Sequence, residues 1–177
     1  VPPAPHKQQL TFDGLGVSTG IAFGTAYVPD TVQREIDRYT LEPDDITAER
    51  ERLQRALDRS RDQLAKMKQK AKTLPETAAE ELDYLLDAHI YMLKGSRLIR
   101  GIENRITTNA LNAEAAVQDE TARIVETFNA LDDAYIASRQ SDVVQVANRI
   151  IRNLQDTPPP SLDSLGENAI VIAEDLT

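Results

Sequence analysis

The sequence predicts a helical bundle inserted into an α/β domain, and three observations carry that expectation. Through the middle of the chain apolar or small residues recur in alternating steps of four and three (Leu53, Leu57, Ser60, Leu64, Met67, Ala71, Leu74), the seam of a packed helix. Two β-favouring runs stand at opposite ends. One spans residues 12–28, punctuated by Gly14, Gly16, Gly20 and Gly24 and carrying Ile21, Phe23, Tyr27 and Val28; the other spans residues 168–173 and includes Ile170, Val171 and Ile172. A strand buried without partners leaves costly N–H and C=O groups unpaired. Residues 11–28 and 168–173 are therefore expected to share one sheet, with the helices between them and the rest of the α/β domain missing.

The elements follow in order. Residues 1–10 open Val1-Pro2-Pro3-Ala4-Pro5 and read as a stiff linker or tail; residues 11–42 form the first part of the α/β domain. The helical domain covers residues 43–156. Its first helix starts at Pro43-Asp44-Asp45, a proline at an early helical position with acids at the positive dipole end, and Lys66, Lys68, Lys70 and Lys72 suit its other end. Pro75 breaks it. A second helix from about Glu76 places Leu82, Leu85, Leu86, His89, Met92 and Leu93 on one face. Gly95-Ser96 interrupts that helix, with Ser96 as the cap of a short continuation carrying Leu98, Ile99, Ile102 and Ile106. Residues 107–109 (Thr-Thr-Asn) read as a loop. A third helix carries Val117, Thr121, Ile124, Phe128, Leu131 and Tyr135. A fourth, capped by Ser141 or Asp142, carries Val143, Ala147, Ile150 and Leu154 and stops before Pro158-Pro159-Pro160. Short connections make this an antiparallel four-helix bundle. Residues 157–177 return to the α/β domain. The charge run Glu49-Arg50-Glu51-Arg52 reads as a solvated face.

Composition narrows the function classes. Twenty basic against 29 acidic residues give a net charge of −9, which disfavours nucleic-acid backbone binding and favours a basic protein partner. No cysteine is present, so disulfides and thiolate zinc sites are excluded. No apolar run reaches membrane-spanning length, and a cytoplasmic protein is expected.

Chemistry read from residues alone is sparse. The glycines space as Gly14-x-Gly16-x-x-x-Gly20, not as a dinucleotide fingerprint, and no helix opens after them to cradle a phosphate. Strand and turn geometry explains them. No His, Asp or Glu cluster has metal-ligand spacing, and no nucleophile-and-base set stands out. His89 falls in the apolar stripe with Leu82, Leu85, Leu86 and Leu93, as a hydrogen-bonded core or core-edge histidine would. Glu80, Asp83, Asp87 and Tyr91 lie on or near the opposite, wet side.

Several blocks together resemble the N-terminal region of Enzyme I of the phosphoenolpyruvate-dependent phosphotransferase system. They are residues 14–26 (GLGVSTGIAFGTA), 87–93 (DAHIYML), 112–117 (NAEAAV), 131–135 (LDDAY), 139–143 (RQSDV), 148–154 (NRIIRNL) and 173–177 (AEDLT), in family order. Two departures stand out. Family members commonly read Ser-Pro-Gly where this chain has Ser18-Thr19-Gly20. Sugar-system members often carry an acidic cluster where it has Lys94-Gly95-Ser96-Arg97, and with the Pro-rich opening this suggests the nitrogen-related paralogue.

The resemblance implies a helical bundle that docks a small histidine-containing phosphocarrier protein, of sugar or nitrogen type, inserted into a swivelling, phosphohistidine-type α/β domain. It implies a phosphoryl-accepting histidine after Thr177, so no catalytic residue in this chain, since neither His6 nor His89 sits in a Gly-Gly-Arg-Thr-Ser-His-type motif. It places magnesium and phosphoenolpyruvate in a further C-terminal domain, through which the full-length protein would be a homodimer. Residues 1–177 would then bind without reacting. For the docking surface it implies Glu80, Glu81, Asp87, Tyr91, Met92, Leu98, Leu131, Ile136 and Arg139, and shifts His89 toward a functional role. A non-catalytic helical adaptor for a basic partner is the other reading of the same bundle.

Overall fold

The computed structural model describes residues 11, 14, 19–28, 36–130, 139–156 and 168–172. It divides into two compact units, one formed by residues 1–29 and 162–176 and the other chiefly by residues 30–161.

In the smaller unit, strand β1 (Thr25–Tyr27) pairs in parallel with β2 (Ala169–Val171), in the register Thr25–Ala169, Ala26–Ile170, Tyr27–Val171. The two β-favouring runs therefore meet, but the strands are shorter than expected. Ile21 and Phe23 lie outside β1 and are 88% and 89% exposed, so β propensity alone did not make strand there. Gly24 has a steric reason: a Cβ at this position would overlap the Asn168 carbonyl oxygen, which accepts the Thr25 N–H at 2.8 Å.

The larger unit is the helical bundle. A single 3₁₀ turn (Pro43–Asp45) leads into α1 (Ile46–Ala71), so the α-helix proper begins three residues later than the proline signal suggested. Helices α2 (Glu76–Met92), α3 (Arg97–Asn109), α4 (Ala113–Asn129) and α5 (Gln140–Leu154) follow. Helices α2 and α3 are the two halves of the expected second helix. The break is at Gly95, in the left-handed region at φ +66°. Ser96 seals it: its Oγ donates to the Met92 carbonyl at 2.6 Å and accepts the Ile99 N–H at 3.4 Å.

The core follows the four-and-three pattern with local exceptions. Leu53, Leu57, Leu64, Leu93, Ile102, Ile106, Val117 and Ile150 are fully buried, with Leu86, Leu98 and Ile99 beside them. Met67 and Leu74 leave the seam, being 37% and 45% exposed near the end of α1. Residues 107–109 are the last turn of α3 rather than a loop; the helix is ended by Ala110 in the left-handed conformation, its N–H bonded to the Arg105 carbonyl. Helix α5 has Arg139 at its cap position and no side-chain cap bond, so neither Ser141 nor Asp142 caps it. The expected continuation of α4 through Leu131 and Tyr135 lies outside the described residues.

Of the charge run, Arg50 and Glu51 are exposed as expected, but Glu49 is buried and Arg52 half-buried. Glu49 is 7% exposed and accepts the Ala113 N–H, while Arg52 reaches Glu114, Glu49 and the Leu154 carbonyl. Asn112, fully buried, completes this knot. Its amide bonds Glu114 and the Asp37 carbonyl, and its oxygen accepts the Tyr39 N–H at 3.1 Å. The network fixes segment 37–41 and the starts of α1 and α4 to the end of α5. Apolar periodicity carries no signal for such a knot.

Candidate functional site

Helix α2 presents one face to the core and another to solvent. The inner face holds Leu86, His89 and Leu93. Steps of four, three and four bring Glu80, Tyr84, Asp87 and Tyr91 together on the outer face. Tyr84 and Tyr91 are 79% and 75% exposed, and Glu80, Glu81 and Asp87 are exposed with them. Large exposed aromatics framed by acids are a common composition for a protein-binding face. The acids are partly committed. Lys68 of α1 bonds Asp87 at 2.6 Å and Asp83 at 3.1 Å, which leaves Glu80 and Glu81 as the carboxylates of this face with no cation partner among the described residues.

The structure separates the expected docking residues by depth. Glu80, Glu81, Asp87, Tyr91 and Arg139 are exposed, and Met92 is half-buried against the core. Leu98 is 4% and His89 5% exposed, so neither offers a contact surface in this conformation: helical period placed both on the inward side of α2 and α3. Leu131 and Ile136 lie outside the described residues.

His89 nevertheless connects this face to α5. Its Nε2 is buried without a hydrogen-bond partner and lies 3.9 Å from Oδ1 of the equally buried Asp142. The expected hydrogen-bonded core histidine is thus an unsatisfied one at that nitrogen. Asp142 in turn accepts from Arg139 at 3.2 Å. Burial lowers the imidazole pKa, the Asp142 charge opposes this, and the Arg149 charge reinforces it; the net displacement is downward. Sequence reasoning assigned Asp142 only to capping. Its position three residues after Arg139, on the flank of α5 that faces α2, was the available signal.

Between α3 and α4, Glu120 is 2% exposed and bonded by Arg105 at 3.0 Å and Arg123 at 3.1 Å. Burial raises the cost of its charge, but the two guanidinium groups prevail and hold the carboxyl below its ordinary range. Gly101 makes the fit possible, since a Cβ there would overlap the Glu120 carboxyl. The cleft at this point is also lined by Asn104 and Asn109.

Among the described residues no three His, Asp or Glu side chains converge so as to hold a metal ion. Nor, among them, is any helix long and apolar enough to cross a membrane.

The family described as PEP-utilising enzyme, N-terminal, matches residues 13–139. The chain belongs to that family. It is 33% identical over 165 residues to the phosphoenolpyruvate-protein phosphotransferase of Streptococcus equinus and 30% identical over 164 residues to that of Bacillus subtilis, each alignment covering 93% of this chain. It spans 28% of the length of those relatives. An Enzyme I protein (nEIt) solved by NMR in solution superposes with a TM-score of 0.75 at 31% identity, over 90% of this chain and 63% of that one. An N-terminal domain of a nitrogen-type Enzyme I superposes at 0.64 with 22% identity, over 89% of this chain and 63% of that one, a likeness of fold alone. The bundle inserted between two paired strands is thus the N-terminal fold of Enzyme I.

Proposed function

We propose that this chain is the N-terminal part of a phosphoenolpyruvate-protein phosphotransferase and that its helical unit docks a histidine-containing phosphocarrier protein. The observation that carries the reading is the outer face of α2, where Tyr84 and Tyr91 stand exposed among Glu80, Glu81 and Asp87. Aromatic anchors supply contact area at low entropic cost, and the acids steer a basic rim. Met92 at the edge of this face and Arg139 at the start of α5 extend it.

In the intact enzyme the phosphoryl group would pass from phosphoenolpyruvate to a histidine and on to the carrier, with magnesium bound by a C-terminal domain that also forms a homodimer. His89 is unsuited to accept it, because its Nε2 is enclosed beside Asp142. In-line transfer needs an acceptor nitrogen open to the donor phosphorus. Residues 1–177 therefore bind the carrier and do not react. Lys94, Arg97 and Arg100, all exposed where α2 meets α3, favour the nitrogen-type carrier of a cytoplasmic system.

The test is calorimetric titration with sugar-type and nitrogen-type carriers, followed by incubation with labelled phosphoenolpyruvate, magnesium and the carrier. Saturable binding without acid-labile label is expected. Label on His89 or on the carrier would overturn the assignment of roles, and binding by neither carrier would leave the adaptor reading.

A further inference from the structure

Cations withdrawn from water need a counter-charge, because a desolvated charge without one is costly. The helical unit obeys this almost throughout. Among the half-buried basic side chains, Arg52 pairs with Glu49 and Glu114, Arg61 with Asp58, Lys68 with Asp83 and Asp87, and Arg105 and Arg123 with Glu120. Arg149 and Arg152 of α5 are the exceptions among the described residues. Both are half-buried and neither has a carboxylate partner. The Arg149 guanidinium rests on neutral groups of α1, the Gln63 side-chain oxygen at 3.2 Å and the Met67 sulfur at 3.7 Å. The Arg152 guanidinium has no ion pair or hydrogen bond among the described residues.

The two arginines stand one helical turn apart, which puts their side chains on neighbouring tracks of the same flank. The Arg152 charge bears on Arg149, and burial lowers the pKa of both. Along α5, Asp142 lies two turns before Arg149 and is engaged by Arg139 opposite His89, and Asp156, one turn after Arg152, is paired with Arg59. Two adjacent guanidinium groups, partly desolvated and lacking an anion in a chain of net charge −9, are the donor set that suits a phosphate's several oxygens.

We infer that Arg149 and Arg152 form a fork for a tetrahedral oxyanion on the flank of α5, where Arg149 meets α1, taking a phosphate group that is free in solution or carried on a protein side chain. The fork is independent of the α2 face, and its existence does not rest on which carrier docks there.

The test compares thermal unfolding in inorganic phosphate and in chloride at equal ionic strength. At about ten times the dissociation constant, phosphate should raise the Tm of the unaltered protein by roughly 3–6 °C over chloride. The rise should vanish in the double variant Arg149→Gln with Arg152→Gln and persist in Arg55→Gln, which removes an exposed cation elsewhere on α1. Arg152→Met keeps the apolar stem and removes the unpaired charge, so its Tm without phosphate should equal or exceed that of the unaltered protein. A carried phosphate is distinguished by the carrier itself: the phosphorylated form should then bind at least tenfold tighter than the unphosphorylated form, and only while both arginines are present. An equal phosphate response in the double variant overturns the fork. So does a large loss of Tm in Arg152→Met, which would make the arginine a packing residue, and so does the absence of both the phosphate shift and the preference for the phosphorylated carrier. A carrier that binds in neither form counts against the docking proposal, and the phosphate arm then decides this one.

Discussion

The Nε2 of His89 on α2 faces Oδ1 of Asp142 on α5 across 3.9 Å, with both side chains withdrawn from solvent and no hydrogen bond between them. Neutral imidazole leaves this gap open; a protonated ring would be drawn to the carboxylate. The pair links the helix bearing Tyr91 and Met92 to the helix that begins beside Arg139.

His89 should titrate below its ordinary value of 6.5. An unfolded histidine takes up its proton near pH 6.5, before the folded one does. The stability tied to His89 is therefore complete above about pH 6.5 and is lost as the pH falls through the lower folded value. Asp142→Asn should lower the folded value further and Arg149→Gln should raise it. Imidazole proton resonances followed from pH 8 to pH 5 read both shifts; unchanged titration in the two variants would remove the coupling.

Gly101→Ala reverses a familiar sign. Alanine in a helix interior ordinarily gains up to about 1 kcal/mol over glycine. Here the added methyl meets the Glu120 carboxyl, which Arg105 and Arg123 hold in place. Urea unfolding should show a loss of about 1–3 kcal/mol, the usual cost of overpacking. A stabilised variant would mean that Glu120 swings away freely.

Arg52→Met leaves Glu49 and Glu114 buried without their cation. Burial works against the Glu114 charge, and the Arg52 bonds and the Asn112 amide outweigh it to hold the carboxyl low. Removing one partner of such a pair costs about 3–5 kcal/mol when fully buried. Arg52 keeps 30% of its side-chain surface, so about 2–3 kcal/mol is expected from denaturant midpoints. In the unaltered protein this stability is present above the ordinary carboxylate range, near pH 4.5, and is lost as the pH falls through the lower folded value.

Tyr91→Ala with Met92→Ala should weaken carrier binding by about 1–3 kcal/mol while leaving the fold intact, since Tyr91 is exposed and Met92 only half-buried. Leu98→Ala instead cuts the core, and its first effect should be on Tm. Calorimetry beside circular dichroism separates the two. Affinity unchanged in the Tyr91 and Met92 variant would take this face out of the docking surface.

The helices and their order were legible because period, proline breaks and the Gly95-Ser96 interruption are all local signals. The meeting of the two end strands was legible for another reason, the need of each strand for a partner. What escaped depends on residues far apart in sequence. Glu49 looks like one acid in a charge run until Ala113 arrives to bond it, and Asp142 looks like a cap until α2 brings His89 against it. The exposed face of α2 was half legible. Spacing put Glu80, Asp87 and Tyr91 outward, but Leu98 came from family likeness and lies in the core. Arg149 and Arg152 gave no warning, since the lack of a carboxylate partner among the described residues is visible only once those residues have positions.

The register that joins Thr25 to Ala169 also has a kinetic meaning. These neighbours in the sheet are separated in sequence by the whole helical unit. Closing so long a loop in a flexible chain carries an entropic cost that grows with the number of free residues. Helices form from near neighbours and can consolidate early. Each one that does shortens the free chain between the strands. The parallel pair is therefore expected to form late and to open early, so the Thr25 and Ile172 amides, which donate across it, should exchange their hydrogens faster than the amides at the centres of the helices.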